Sequence, residues 1–229
     1  MTDRLIHIPT RPGMGRSLIH HDDRSKNFRA ISPRQAEVLE PRNRRWFRYG
    51  VYDQGQTSTC VAQTGKGILN TRPHLDNIPL RVRKNFSIDD FYLGAQQNDE
   101  WPGQDYDGTS GLGLCKYLAA AGIIKEYRWC FGLQDVLLTL SHKGPVGIGV
   151  WWYTGMFYPN SEGLIEATGS QEGGHEIELI ANDVDREEVE FINSWGAGWG
   201  KKGRGRMKWT TLERLLNEQG DAFLIPDQP

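Results

Sequence analysis

No stretch of this 229-residue chain is apolar for long enough to cross a bilayer, and its first residues, MTDRLIHIPTRPGMG, lack the apolar core of a secretion signal. Cysteine is scarce. Cys60, Cys115 and Cys130 show no C-x-x-C spacing and are odd in number, which argues against a disulfide framework or a zinc site and leaves at least one thiol free. Surplus charge is lacking as well: 27 basic against 29 acidic residues give a net charge of −2, so bulk charge points to neither a nucleic-acid nor a membrane partner. Internal repeats and low-complexity segments are absent too. Together these features lead us to expect a cytoplasmic protein, with release by lysis or in a particle still compatible, and no cofactor.

What is present is ordinary globular composition, 38% hydrophobic and 24% charged, enough for a core in one domain or in two packed lobes. Residues 1–49 carry Pro9, Pro12, Pro33 and Pro41 and little periodicity, which predicts an extended arm on the body with a short helix over 34–39. Within it, His20, His21, Asp22 and Asp23 read as a polar turn, and Arg42, Arg44, Arg45 and Arg48 as a solvated basic face. A helix should start at Cys60 and stop before Pro73. Ser87 with Asp90 predicts another over 88–98, with further helices over 110–121 and 135–142. From Val146 the texture alternates in twos, with strands expected over 175–181, 188–195 and 204–209 and a charged turn in the Lys201 to Arg206 run. The fold class is therefore α+β, with a mainly helical lobe over 50–143 and a mainly β lobe over 144–229.

Three residues in this layout could do chemistry together. Cys60 follows a glycine-containing polar loop and opens a helix, where the free N–H groups and the helix dipole favour a thiolate. His175 follows Gly173 and Gly174, which leave room for an extended peptide backbone beside the imidazole. The Asn193 amide oxygen can accept from one ring N–H and so fix the tautomer, and Trp195 and Trp199 can keep water from that bond.

Gln54-Gly55 ahead of Cys60, Gly174-His175 before an apolar strand, and the run from Asn193 to Gly200, N-S-W-G-A-G-W-G, resemble the papain-like cysteine proteases over residues 50–210. H-D-D-R-S-K-N-F, ending at Phe28, is weakly similar to the start of the catalytic domain in bacterial and phage-type members. The resemblance implies a two-lobe fold with a cleft between the lobes. It also implies Cys60 as nucleophile, His175 as general base and acid, Asn193 as the residue that orients the imidazole, and Gln54 as an oxyanion-hole donor. Gly108, with Asp107 and Thr109, would pair with the substrate main chain opposite Gly173 and Gly174, and Trp195 would border the site. Trp152, Met156 and Leu164 suit either a hydrophobic subsite or lobe packing, the latter preferred.

The chain departs from that pattern in places. Gln56, Thr57, Ser58 and Thr59 stand where secreted relatives usually have a cysteine and a Gly-Ser pair, and Val61 replaces a common tryptophan. His175 and Asn193 follow Cys60 by 115 and 133 positions, which implies trimmed loops. Glu176, beside His175, should face solvent or else disturb the imidazole. No long prosegment precedes the nucleophile, so control through propeptide removal is not expected. The activity implied is a cysteine endopeptidase on peptide or protein substrates. A silent papain-like binding or structural protein, and a relative cutting cell-wall peptide cross-links, stay open.

Overall fold

The computed structural model describes residues 14–16, 27–99, 101 and 106–227. The His20, His21, Asp22 and Asp23 turn lies outside them, as do most of the segment ending at Phe28 and residues 102–105 of the loop before Asp107.

The first elements are α1 (Pro33–Val38), β1 (Arg44–Arg45), α2 (Cys60–Leu69), α3 (His74–Asn77) and α4 (Leu80–Arg83). They are followed by α5 (Ile88–Gln96), α6 (Gly111–Ala120), β2 (Arg128–Trp129) and α7 (Leu133–His142). Side-chain caps set several starts. Ser32 and Gln35 form a reciprocal capping box on α1, the Ser87 hydroxyl accepts from the Asp90 N–H of α5, and the Ser110 hydroxyl accepts from the Gly113 N–H of α6. Then come β3 (Val146–Tyr153), β4 (Gln171–Asp183), β5 (Glu188–Ile192), β6 (Arg204–Lys208), α8 (Trp209–Asn217) and β7 (Asp221–Leu224). The strand expected over 204–209 stops one residue early because Trp209 opens α8, whose Leu212 and Leu215 are buried. Neither α8 nor β7 was expected from the pattern.

The strands form an antiparallel sheet in the order β2-β7-β3-β4-β5-β6, with β1 on β4. Two cores flank it, as in the two-lobe papain-like arrangement. One joins Val146, Ile148, Val150, Ile177, Leu179 and Phe191 to α7, α8, Trp152 and Met156; the other gathers α2, α5 and α6 around Phe91, Leu114, Leu118 and Phe223. Both faces of β3 and β4 are thus covered. On the helical side β3 presents Gly147 and Gly149, and the missing side chain at Gly147 lets the Phe223 ring lie against the backbone. Trp152 and Met156 are fully buried core residues, and Leu164 bridges Arg206.

The arginines of the arm do not make one solvated face. Arg45 pairs with Glu190 at the surface, whereas Arg48 turns inward, where its Nε donates to Glu178 at 2.9 Å with both side chains 2% exposed. The Thr71 hydroxyl also donates to Glu178. Glu178 sits on the covered helical face of β4 and needs a cation there, since a lone buried carboxylate is costly.

Candidate active site

Cys60 is the first residue of α2, and its N-cap, Thr59, makes no side-chain cap, so the first-turn N–H groups remain available near the sulfur. The main-chain N–H groups of Glu176 and Val61 lie close enough to favour the thiolate form of that sulfur. Glu176 immediately follows His175 on β4, so the helix start and the strand meet at these two residues. Cys60 and His175 both have 0% of their surface exposed.

The imidazole is held on several sides. Its Nε2 donates to Asn193 Oδ1 at 2.8 Å, while its buried Nδ1 has no protein partner. With the Nε2 proton engaged, Nδ1 is the nitrogen able to accept a proton. Trp195 stacks on the ring at 4.7 Å and 27°, and Trp152 meets it edge-on at 4.9 Å. Asn193 Oδ1 also accepts from the Ser194 N–H, which fixes the amide. The Ser194 hydroxyl in turn donates to Gln54 Oε1, and Gln54 Nε2 donates to the Thr57 carbonyl at 2.7 Å. An amide nitrogen has two hydrogens, and the Thr57 bond engages one. The loop before the nucleophile keeps its shape through this bond and through Thr57, whose hydroxyl meets the Gln54 carbonyl and Thr59.

The cleft is occupied by the chain itself. The N–H groups of Gly15 and Arg16 both donate to the Gly174 carbonyl, at 3.2 and 3.1 Å, and the Thr109 N–H donates to the Gly15 carbonyl at 2.9 Å. Residues 14–16 therefore run between the loop of Gly108 and Thr109 and the start of the His175 segment, and Arg16 bridges Thr109 in parallel. Three glycines make this close approach possible. A Cβ on Gly108 would lie 2.5 Å from the Gly15 carbonyl oxygen, one on Gly174 would collide with that of Arg16, and one on Gly15 would lie 2.5 Å from the Ser58 carbonyl carbon. Gly108 is fixed from behind by Tyr92 and Gln96 of α5. Gly173 pairs with Trp152 one step further along β4. Met14 is buried with the β-side core.

This segment corrects two expectations. Residues 14–16 of the arm lie in the cleft, where control by a removable segment was not expected, and burial opposes the thiolate that the helix start favours. Burial pushes the Cys60 thiol up to about 12 and pulls His175 down to about 4, which leaves both neutral at pH 7. The helix start favours the thiolate, but removal of water from the sulfur outweighs it. Glu176 is corrected too. It faces neither solvent nor the imidazole but the covered helical side, buried with no exposed surface. Arg16 and Asp221, which pair on that side, were not singled out by pattern, and Glu176 was noted only as a departure beside His175. Arg16 lies in an aperiodic segment, Asp221 in an unexpected strand, and only strand alternation, which sets Glu176 on the face opposite to His175, hinted at any of them.

No family model matches the chain. Cathepsin B-like CP2 of Giardia intestinalis is 29% identical over 119 residues, 51% of this chain and 38% of that protein. Cathepsin B-like CP3 of the same organism is 29% identical over 87 residues, 37% of this chain and 29% of that protein, so the matches span well under half of these relatives' lengths. Among solved structures, xylellain, a cysteine protease from Xylella fastidiosa, superposes with a TM-score of 0.72 over 98% of this chain and 99% of that one at 20% identity. proCathepsin B S9 from Trypanosoma congolense gives 0.62 over 93% of this chain and 87% of that one at 12% identity. The fold is that of the papain-like cysteine proteases, and the chain resembles cathepsin B-like sequences.

Proposed function

We propose that the protein is a cysteine endopeptidase acting on peptide or protein substrates through Cys60, His175, Asn193 and Gln54. The observation that carries this reading is the buried His175 ring, tied at Nε2 to Asn193 and free at Nδ1, on the strand that meets the first turn of the Cys60 helix. In the reaction, Nδ1 takes the thiol proton as the sulfur attacks the scissile carbonyl carbon. The carbonyl oxygen, now an oxyanion, takes hydrogen bonds from the Cys60 main-chain N–H and from the Gln54 amide; such a donor contributes roughly 3–4 kcal/mol. The C–N bond then breaks as His175 returns the proton to the leaving amine. Water, deprotonated by the same nitrogen, hydrolyses the thioester and restores the thiol. Asn193 is a positioning residue, since its oxygen engages Nε2 and leaves Nδ1 as the nitrogen that takes the proton.

Support for each role comes from its geometry together with the shared fold and the cathepsin B-like resemblance. With residues 14–16 in place the cleft is closed, so the full chain is expected to cut slowly and the full-length Arg16→Ala variant faster. The test is digestion of a denatured protein under reducing conditions, read by mass spectrometry, with the wild-type chain, Arg16→Ala, and each combined with Cys60→Ser. Cleavage that Cys60→Ser abolishes is expected. Cleavage that survives Cys60→Ser, or none by either parent chain, overturns the reading.

A further inference from the structure

The edge of the sheet carries a second concave region, which the reaction does not use. Val189 and Phe191 of β5 belong to the core, so alternation turns Glu188 and Glu190 to the other face. On β6, Met207 is in the core and Gly205 stands against the Phe191 ring, so Arg204 and Arg206 turn the same way as the two carboxylates. Against this face lie two cavities of about 470 and 680 Å³. Arg45, Glu162, Glu190, Lys201 and Arg206 line both, so the two make one trough, of a size common for binding sites. None of Gln54, Cys60, His175 and Asn193 lines it.

The walls carry an excess of positive charge. Arg45, Arg186, Lys201, Lys202, Arg204 and Arg206 stand against four carboxylates, and every carboxylate is already paired. Glu190 accepts from Arg45 on both oxygens and has Arg204 at 3.4 Å. Glu188 is held by Arg206 at 2.9 Å and by Lys208 at 3.0 Å, while Glu162 and Asp183 each have an arginine partner. The ammonium groups of Lys201 and Lys202, both on exposed residues, have no ion-pair partner among the described residues. Between them and β1 the floor is apolar: Val51, Ala197 and the aliphatic stems of the arginines form it, and Gly50 and Gly163 add no side chain over it.

An occupant must therefore be anionic at the rim and apolar beneath. An extended peptide that alternates carboxylates with aliphatic side chains offers one kind on each side of its backbone. A nucleic acid has no aliphatic side chains for the floor, and its regularly spaced phosphates would meet Glu188 and Glu190 as well as the cations.

We propose that this trough docks an acidic, extended segment of a partner protein, with its carboxylates on Lys201 and Lys202 and its apolar side chains over Val51 and Ala197. The site is separate from the cleft, and its chemistry holds whether or not the chain cuts peptide bonds.

The experiment follows fluorescence anisotropy of labelled peptides with the full-length Cys60→Ser chain, which cannot consume them. The probes are Glu-Leu-Glu-Leu-Glu, its uncharged counterpart Gln-Leu-Gln-Leu-Gln and its polar counterpart Glu-Ser-Glu-Ser-Glu, with an oligothymidylate as the nucleic acid. The first is expected to bind at least tenfold more tightly than each of the others. Lys201→Gln combined with Lys202→Asn should weaken it at least fivefold; asparagine suits position 202, where φ is 58°. Lys84→Gln with Lys125→Gln makes the same change of charge on exposed residues of the helical lobe and should leave binding within twofold. Ala197→Asp, which sets a carboxylate on the exposed floor and spares both lysines, should weaken binding as the first double variant does. No binding of Glu-Leu-Glu-Leu-Glu, equal binding of the three peptides, preference for the oligonucleotide, or equal losses in the two double-lysine variants overturns the proposal.

Discussion

Gly15→Ala should open the cleft without touching any residue assigned to the reaction. The added methyl would stand 2.5 Å from the Ser58 carbonyl carbon and 2.7 Å from its Cα, both main-chain atoms that cannot swing aside. Ordinary carbon contacts are about 3.5–4.0 Å, so the segment must move by roughly 1 Å or more. Such a shift breaks its hydrogen bonds to the Gly174 carbonyl and the Thr109 N–H. At about 1 kcal/mol for each of two to three bonds, the closed form loses some 2–3 kcal/mol. That multiplies the population with the segment displaced by roughly 30 to 150. Once water reaches Cys60, its thiol is also released from the burial that pushes it up to about 12, so reactivity should rise by at least this factor. The assay is alkylation by iodoacetamide at neutral pH, followed peptide by peptide in the mass spectrometer. Cys115 and Cys130, both buried and free, serve as internal controls that report unfolding. Cys60 should label at least 30-fold faster in Gly15→Ala than in the wild-type chain while the controls stay slow. Equal Cys60 rates, or a parallel rise in all three, would refute the claim that residues 14–16 shield the nucleophile.

Two further outcomes concern stability. Arg48→Met strands the buried Glu178 carboxylate and should cost about 3–5 kcal/mol in urea unfolding, whereas adding Glu178→Met should recover most of the loss; a double variant no better than the single would contradict the pairing. His175 is pulled down to about 4 by burial, so its proton binds the unfolded chain better and its stabilising share, full above the unfolded value near 6.5, falls as pH drops from there toward 4. Between pH 7 and pH 5 this amounts to about 2 kcal/mol, read as the wild-type loss minus that of His175→Gln, and equal losses in the two chains would remove the basis for a buried neutral imidazole.

Cys60, Gln54, His175 and Asn193 could be singled out from the sequence because each stands in a short local pattern whose residue types carry the chemistry. Helix starts at Ser32, Ser87 and Ser110 were equally readable, since a cap acts on its own first turn. Arg16 was not. Nothing near it is periodic, and its partner Asp221 is 205 residues away. The alternation from Val146 to Val150 announced a strand, yet the purpose of Gly147 depends on Phe223, which is not near in sequence. The burial of Glu176 escaped for a related reason: alternation assigns it to the face opposite to His175, which in a one-sided sheet would be wet. Here helices cover that face, a property of the tertiary packing that no window of the strand contains. Trp209 was read as strand because it follows Arg204 to Lys208 without a break, although Leu212 and Leu215 already had helical spacing.

Because Arg16 belongs to the same polypeptide as the cleft it lies in, its hold there is set by a local concentration rather than by how much protein is present. A covalent tether of a few residues to tens of residues commonly corresponds to about millimolar effective concentration. Dilution leaves such an occupant in place, so a lone chain in a large volume is as well closed as one in a crowded solution. A free peptide must instead reach comparable concentration, or bind more tightly, to take the cleft. Severing the chain after residue 16 changes the order of that competition: the displaced fragment becomes a bimolecular ligand and dilutes away.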